Sequence, residues 1–235
     1  MQSPVKRFVV LLSTVLLYIS IQAQNIPLSQ FRDSLLPKLG RGDLYDIQQS
    51  TEKFEVERVQ DSLRVTKVMR ARDTTSCSLS IPQGRLTGHD YGEFGGNLIF
   101  GSQDGRSDTI FDRFVQDIFT CYGYIYFTSS IWHMSVHYGQ LYLLDTTKSQ
   151  FSAKLVTSFE YPVRNSYVLH DTMYLVSDGK LFRMQYGKPV FITGVPYSCN
   201  SIAVVGRYMY FGLHGAYAQL DLKSRQYRYF VYTGK

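Results

Sequence analysis

From Lys53 onward the chain alternates apolar and polar residues with a period of two, and short apolar-aromatic runs recur between turn-forming residues. That is the pattern of half-buried strands. The clearest unit is Thr172–Met184, in which Met173-Tyr174-Leu175-Val176 runs into Asp178-Gly179 and returns as an alternating strand. Asp-Gly is a strong signal for a two-residue hairpin turn. Variants of the same hairpin stand at Asn97-Leu98-Ile99-Phe100, Tyr124-Ile125-Tyr126-Phe127 and Tyr208-Met209-Tyr210-Phe211. Phe54, Val56 and Val59, with Leu63, Val65 and Val68, predict one more hairpin around Gln60-Asp61-Ser62. Ala71 to Gly88 is polar and reads as loop, with one short strand near Cys77–Ile81.

The repeats align with one another. Ile118–Phe127 falls on Ile202–Phe211 without a gap, and Asn165-Ser166 falls on Asn200-Ser201. The unit around Tyr174 predicts four short strands, near Ser166–Leu169, Met173–Ser177, Lys180–Gln185 and Pro189–Thr193. His170-Asp171, Asp178-Gly179 and Gly187-Lys188 supply the turns between them. A four-stranded antiparallel unit repeated at roughly forty residues is the signature of a propeller blade. Gly139-Gln140-Leu141-Tyr142-Leu143-Leu144-Asp145 resembles the blade strand of secreted β-propellers, including pyrroloquinoline-quinone-type repeats. The resemblance covers about Gly88 to Lys235 and implies propeller geometry. The docking Trp of the quinone-binding blades has no counterpart, since the single Trp, Trp132, lies in an insertion; no cofactor is expected.

The expected fold is therefore all-β: a small β-propeller or propeller-like array of about four to five four-stranded antiparallel blades, preceded by a short helix. The count leaves three good units, one partial unit near Leu98, and a fifth from the Phe54–Val68 hairpin. Residues 53–235 form this repeat domain. Residues 24–52 form an extended and helical lead-in, with Ser29 capping a helix from Gln30 to Leu36.

Residues 1–23 have a basic start at Lys6 and Arg7, an apolar stretch from Phe8 to Ile21, and Ala23 for cleavage. This is the form of a secretory signal peptide, and its Ala-Gln ending resembles those of Bacteroidetes bacteria. Ser13, Thr14, Ser20 and Gln22 interrupt a stretch already short for a bilayer span, so no stable membrane span is expected after cleavage. Removing Lys6 and Arg7 takes the formal charge from +6 to +4. That surplus, with no dense Lys/Arg stripe, excludes a nucleic-acid footprint. The three cysteines, Cys77, Cys121 and Cys199, stand singly, without metal-binding or redox spacing. They allow one disulfide and one free thiol, or buried free thiols.

No reaction is announced. There is no Gly-x-Ser-x-Gly elbow, and His133 with His137 lacks a certain third ligand, so no metal is expected. The insertion Ile131–Tyr138 carries Trp132, His133, His137 and Tyr138, residue types suited to binding hot spots. Antiparallel connectivity places it at one end of the blades with Arg164, Asn165, Asp178, Asn200 and His214, which together make the candidate binding face. Asn165 and Asn200 also suit turns, where their side chains bond neighbouring backbone. The expectation is a secreted, periplasmic or envelope binding or scaffold protein, not an enzyme, recognising a protein or glycan through one loop-rich face. The alternative is a carbohydrate-active hydrolase or lyase on the same scaffold.

Overall fold

The computed structural model describes residues 24–35, 50–68, 75–133, 136–148, 150–196 and 199–234; the expected signal peptide, residues 1–23, lies outside them. The alternating segments form strands throughout, and every strand pairing within the five sheets is antiparallel. Strand β1 (Gln24–Asn25) pairs with β4 (Ser62–Val68), which pairs with β3 (Lys53–Val59). Three successive four-stranded meanders follow. The first is β5 (Thr75–Ile81), β6 (Gly84–Asp90), β7 (Gly96–Ser102) and β8 (Ser107–Phe111). The second is β9 (Asp117–Cys121), β10 (Tyr124–His133), β11 (Val136–Asp145) and β12 (Ser152–Phe159). The third is β13 (Val163–Leu169), β14 (Thr172–Ser177), β15 (Lys180–Gln185) and β16 (Lys188–Gly194). The last sheet holds β17 (Ser201–Val205), β18 (Tyr208–Gly212), β19 (Ala216–Asp221) and β20 (Tyr227–Tyr232), with β2 (Phe31–Leu35) added beyond β20 as a fifth strand.

Two expectations are corrected. The helix from Gln30 to Leu36 does not form: a single 3-10 turn at Leu28–Gln30 leads straight into β2. A helix this short is marginal on its own, whereas β20 offers a free edge of backbone donors and acceptors. Pairing Phe31 with Tyr232 on that edge also delivers the Phe31 ring to an aromatic cluster, 5.3 Å from Phe54 and 4.9 Å from Tyr217. The second correction concerns Gly84–Gly88, expected as loop, which is the strand β6. The sheet around Leu98 is consequently complete, not partial. The insertion Ile131–Tyr138 is the long end of the β10–β11 hairpin, with Trp132 opposite His137.

The recurring hairpin has apolar residues on both faces because each is buried against a different neighbour. Met209 and Phe211 face a core shared with Val176 and Leu181, while Tyr210, between them, packs with Phe54 and Val56. In β14 the same alternation sends Leu175 and Met173 towards Leu141 and Cys121, and Val176 towards Phe211. Four cores fill the spaces between consecutive sheets: β5–β8 with β9–β12, β9–β12 with β13–β16, β13–β16 with β17–β20, and β17–β20 with β3–β4. The leading strands touch in the same series, β5 to β9 to β13 to β17 to β3.

Hence the first hairpin packs on the last sheet. Val56 N–H donates to Ser201 Oγ at 2.7 Å, Phe54 N–H to the Leu213 carbonyl at 2.9 Å, and Gly215 N–H to the Glu52 carbonyl at 2.8 Å. This approach requires Gly212: a Cβ there would stand 2.3 Å from the Phe54 carbonyl oxygen. Gly212→Ala should therefore push β3 off β18 and cost about 1–3 kcal/mol, the usual range for overpacking. Gly101→Ala is the control, because its Cβ would meet nothing nearer than 3.9 Å and alanine suits a strand better by roughly 0.5–1 kcal/mol. Urea unfolding midpoints of the two variants check this; equal midpoints would contradict the close approach.

Candidate functional site

In a four-stranded meander the turns joining first to second and third to fourth strands share one end. The turn joining second to third, and the link to the next sheet, share the other. The residues expected to form the binding face sit at this second end, and several of them make contacts within the protein. His137 stacks on Tyr161 at 4.8 Å, carrying the β10–β11 hairpin onto the link into β13. Asn165 Nδ2 donates to the Cys199 carbonyl at 3.1 Å, joining two sheets instead of fixing its own turn. Asp178 pairs with Lys180 at 2.9 Å. The Asn200 N–H donates to the Gly212 carbonyl at 2.7 Å, and its Nδ2 is buried without a hydrogen-bond partner.

His214 forms a backbone bridge with Lys53, and burial, then the Lys53 charge, lowers its pKa. Arg164 and Asp178 line one small cavity of about 30 Å³ with Cys199 and Pro196, room for little more than water. Of the hairpin residues, Tyr138 lies opposite Ile131 and His133 opposite Val136. The Trp132 side chain is outside the described residues. Among the described residues no group of three or more His, Cys, Asp or Glu could hold a metal.

Buried hydroxyls add to the linking of sheets at this end. Ser130 Oγ donates to the Val163 carbonyl at 3.2 Å and accepts its N–H at 2.9 Å, and Ser177 Oγ donates to the Tyr161 carbonyl at 2.8 Å. Asp117, leading β9, accepts the Ser166 hydroxyl of β13 and the Ile118 N–H. Burial outweighs both bonds and raises its pKa above the ordinary 3.8. The three cysteines are free thiols. Burial pushes Cys77 and Cys199 up to about 12, so neither is a nucleophile at neutral pH.

The larger cavity is at the opposite end, in a cleft of about 530 Å³ between β9–β12 and β13–β16. Its apolar wall is Tyr126, Leu141, Val156, Met173 and Met184; Asp171, Thr172, Arg183 and Gln185 also line it; Tyr122 and Tyr186 stand at its rim. This volume falls within the ~300–1,000 Å³ of small-molecule sites. Asp171 ties the rim together: its Oδ1 accepts the Tyr122 N–H at 3.1 Å, and its carbonyl accepts the Cys121 thiol at 3.0 Å.

The rim turns are unusual. Tyr122-Gly123 has φ of 52° and 74°, Tyr186-Gly187 has 51° and 75°, and His170-Asp171 has 44° and 60°. Two-residue turns of this left-handed kind prefer Asn, Asp or Gly. A tyrosine in such a conformation is an outlier, and both rings are exposed, at 67% for Tyr122 and 95% for Tyr186. Of the four Tyr-Gly pairs in the sequence, Tyr122-Gly123 and Tyr186-Gly187 carried this signal, each at a turn where Asn-Gly or Asp-Gly is the norm.

No protein-family model matches the chain, and comparison with characterised proteins finds no match.

The buried carboxylate gives a pH signature. Because the folded-state pKa of Asp117 lies above its unfolded value, the folded state holds this proton more tightly. The stability from this group therefore falls as pH rises from about 3.8 through the folded pKa. Glu57, Asp145 and Asp221, whose pKa values are lowered by hydrogen bonds and cations, act in the opposite sense. Asp117→Asn keeps an acceptor for Ile118 N–H and removes the titration. Its stability relative to wild type should be greater at pH 7 than at pH 4 in urea denaturation; parallel pH profiles would contradict the burial of this charge.

Proposed function

We propose that this chain is a non-enzymatic binding protein built as a five-bladed β-propeller, exported to the periplasm or cell envelope, that holds a protein or glycan partner in the Tyr122–Tyr186 cleft. The five sheets act as blades, and the leading strands β5, β9, β13, β17 and β3 line the ring. The four successive inter-sheet cores support this arrangement, as does the packing of the first hairpin on the last sheet. Closure of the ring would require one further interface, between β3–β4 and β5–β8.

One observation carries the binding reading: the cleft joins a sizeable mixed-polarity cavity to two exposed aromatic side chains. Loops set on a rigid scaffold commonly carry binding groups. We place the partner at this end, not at the Arg164 end, because the cavity at Arg164 and Asp178 has room for little more than water. Glycoside hydrolysis uses a pair of carboxyl groups flanking the bond. Asp171 is the one carboxylate among the cleft's described lining residues, so no observation favours the hydrolase reading. Among the described residues no helix is long and apolar enough to cross a membrane.

Amide chemical-shift mapping tests the assignment of the site. Titration of the isotope-labelled protein with solubilised envelope polysaccharide and with envelope protein extract should move the amides of Tyr122, Asp171 and Tyr186. Shifts confined to Arg164, Asp178, Asn200 and His214 would transfer the site to the other end. Silence throughout would overturn the binding reading.

A further inference from the structure

We infer that the occupant of the Tyr122–Tyr186 cleft is a protein segment that inserts an aromatic side chain flanked by Lys or Arg, an inference that rests on the binding reading above and names the partner's chemistry. Strand alternation decides which side chains face the cleft. Leu181 packs towards β17–β20, whereas Phe182 and Met184 pack towards β9–β12. Arg183 and Gln185 therefore share the Leu181 face and meet the cleft only along their strand. The side chains turned into it are Cys121, Tyr126, Leu141, Val156, Met173 and Met184, all packed in one core.

The two methionines stand where the sheet opens. The β14–β15 ladder ends at Tyr174 and Arg183, one residue short of Met173 and Met184. At the equivalent positions of the neighbouring sheets the ladder runs on, pairing Ile125 with Leu144 and Met209 with Leu220. Unbranched thioethers at such a place can repack around an incoming group, and their sulfur sits well at the edge of an aromatic ring. Saccharide hydroxyls would lose water against this wall and gain few hydrogen bonds, which is costly. An aromatic side chain buries its faces without that loss, and it is a common anchor of protein interfaces.

Charge supplies the other half of the match. Asp171 is the one carboxylate among the cleft's described lining residues, and its Oδ1 accepts the Tyr122 N–H across the gap at 3.1 Å. His170 and Lys188 adjoin the rim turns but do not line the cleft. Tyr122 and Tyr186 hold exposed rings in left-handed turns, a strain that clusters at ligand clamps. A Lys or Arg beside the inserted ring would meet the Asp171 carboxylate and two tyrosine faces, all of which attract a cation. An acidic segment would be repelled by Asp171, and an acyl chain would make no use of it.

The test is selection of a random decapeptide display library on the full protein, followed by calorimetric titration of the enriched peptides. Cellotriose, maltotriose and chitotriose serve as saccharide comparators. Phe, Tyr or Trp should be enriched within two residues of Lys or Arg, and changing that aromatic to Ala should weaken a peptide at least about tenfold. Tyr122→Asn, Tyr186→Asn and Asp171→Asn place a residue suited to left-handed turns at each position, so melting temperatures should hold. Each should lower peptide affinity about two- to fivefold at low salt, whereas Tyr91→Ala, at an exposed tyrosine outside the cleft, should not. These results together support the assignment. No enrichment, selection of acidic peptides, or affinity unchanged in all three asparagine variants overturns it. Binding of a trisaccharide through the same tyrosines would also overturn it, while leaving the protein a binding module. Failure of every probe together with silent amide mapping would sink both.

Discussion

The edge of β3 laid against β17 and β18 is the contact on which the rest of the structure depends. It joins residues far apart in sequence: the Val56 N–H to Ser201 Oγ bond spans 145 positions. Around it Phe31, Phe54, Tyr217 and Tyr232 form a cluster with ring centroids 4.9 to 5.5 Å apart. Phe54 is fully buried in this cluster, and β2 adds to β20 on the outside of the same sheet. The last sheet, which would otherwise expose Ala203 and Tyr217, is covered by residues from the start of the chain. A contact of this sequence separation must offset a large loop-closure entropy, and it does so by burying aromatics and supplying backbone hydrogen bonds together.

Once the ends are tied, each intermediate sheet can be apolar on both faces, and its outermost turns are released from packing duties. That division explains the difference between the two ends of the sheets. At one end Ser130, Asn165 and Ser177 satisfy the backbone of neighbouring links, and charges such as Asp178 are paired locally. The other end holds left-handed turns with exposed tyrosines over a cleft. Sequence that does not serve the fold, and even strains it, is concentrated there.

Much of the architecture was legible in the chain. The alternation around Tyr174 predicted the four strands β13–β16 to within three residues at each end, because both buried faces and the Asp178-Gly179 turn reinforced one period. The hairpin at Phe54–Val68 was equally plain. Two features were hidden for physical reasons. Phe31–Leu35 has no strong intrinsic preference for a strand, and its state is decided by the edge of β20, nearly two hundred residues away. Gly84–Asp90 is rich in polar residues and glycine, yet Leu86 is fully buried between sheets and holds it as a strand. The cleft was hidden for another reason. The readable residues, histidines and a tryptophan in an insertion, drew attention to one end, whereas the signal at the other was a residue type out of place in a turn.

Native-state hydrogen exchange on wild type and Phe54→Ala is the most direct measurement of whether the first hairpin and last sheet form one unit. Removing this ring should lower the protection of β3 and of β17–β18 together, each by about 3–5 kcal/mol, the usual cost of such a truncation. Loss confined to β3 and β4, with Ser201–Gly212 as protected as in wild type, would contradict it.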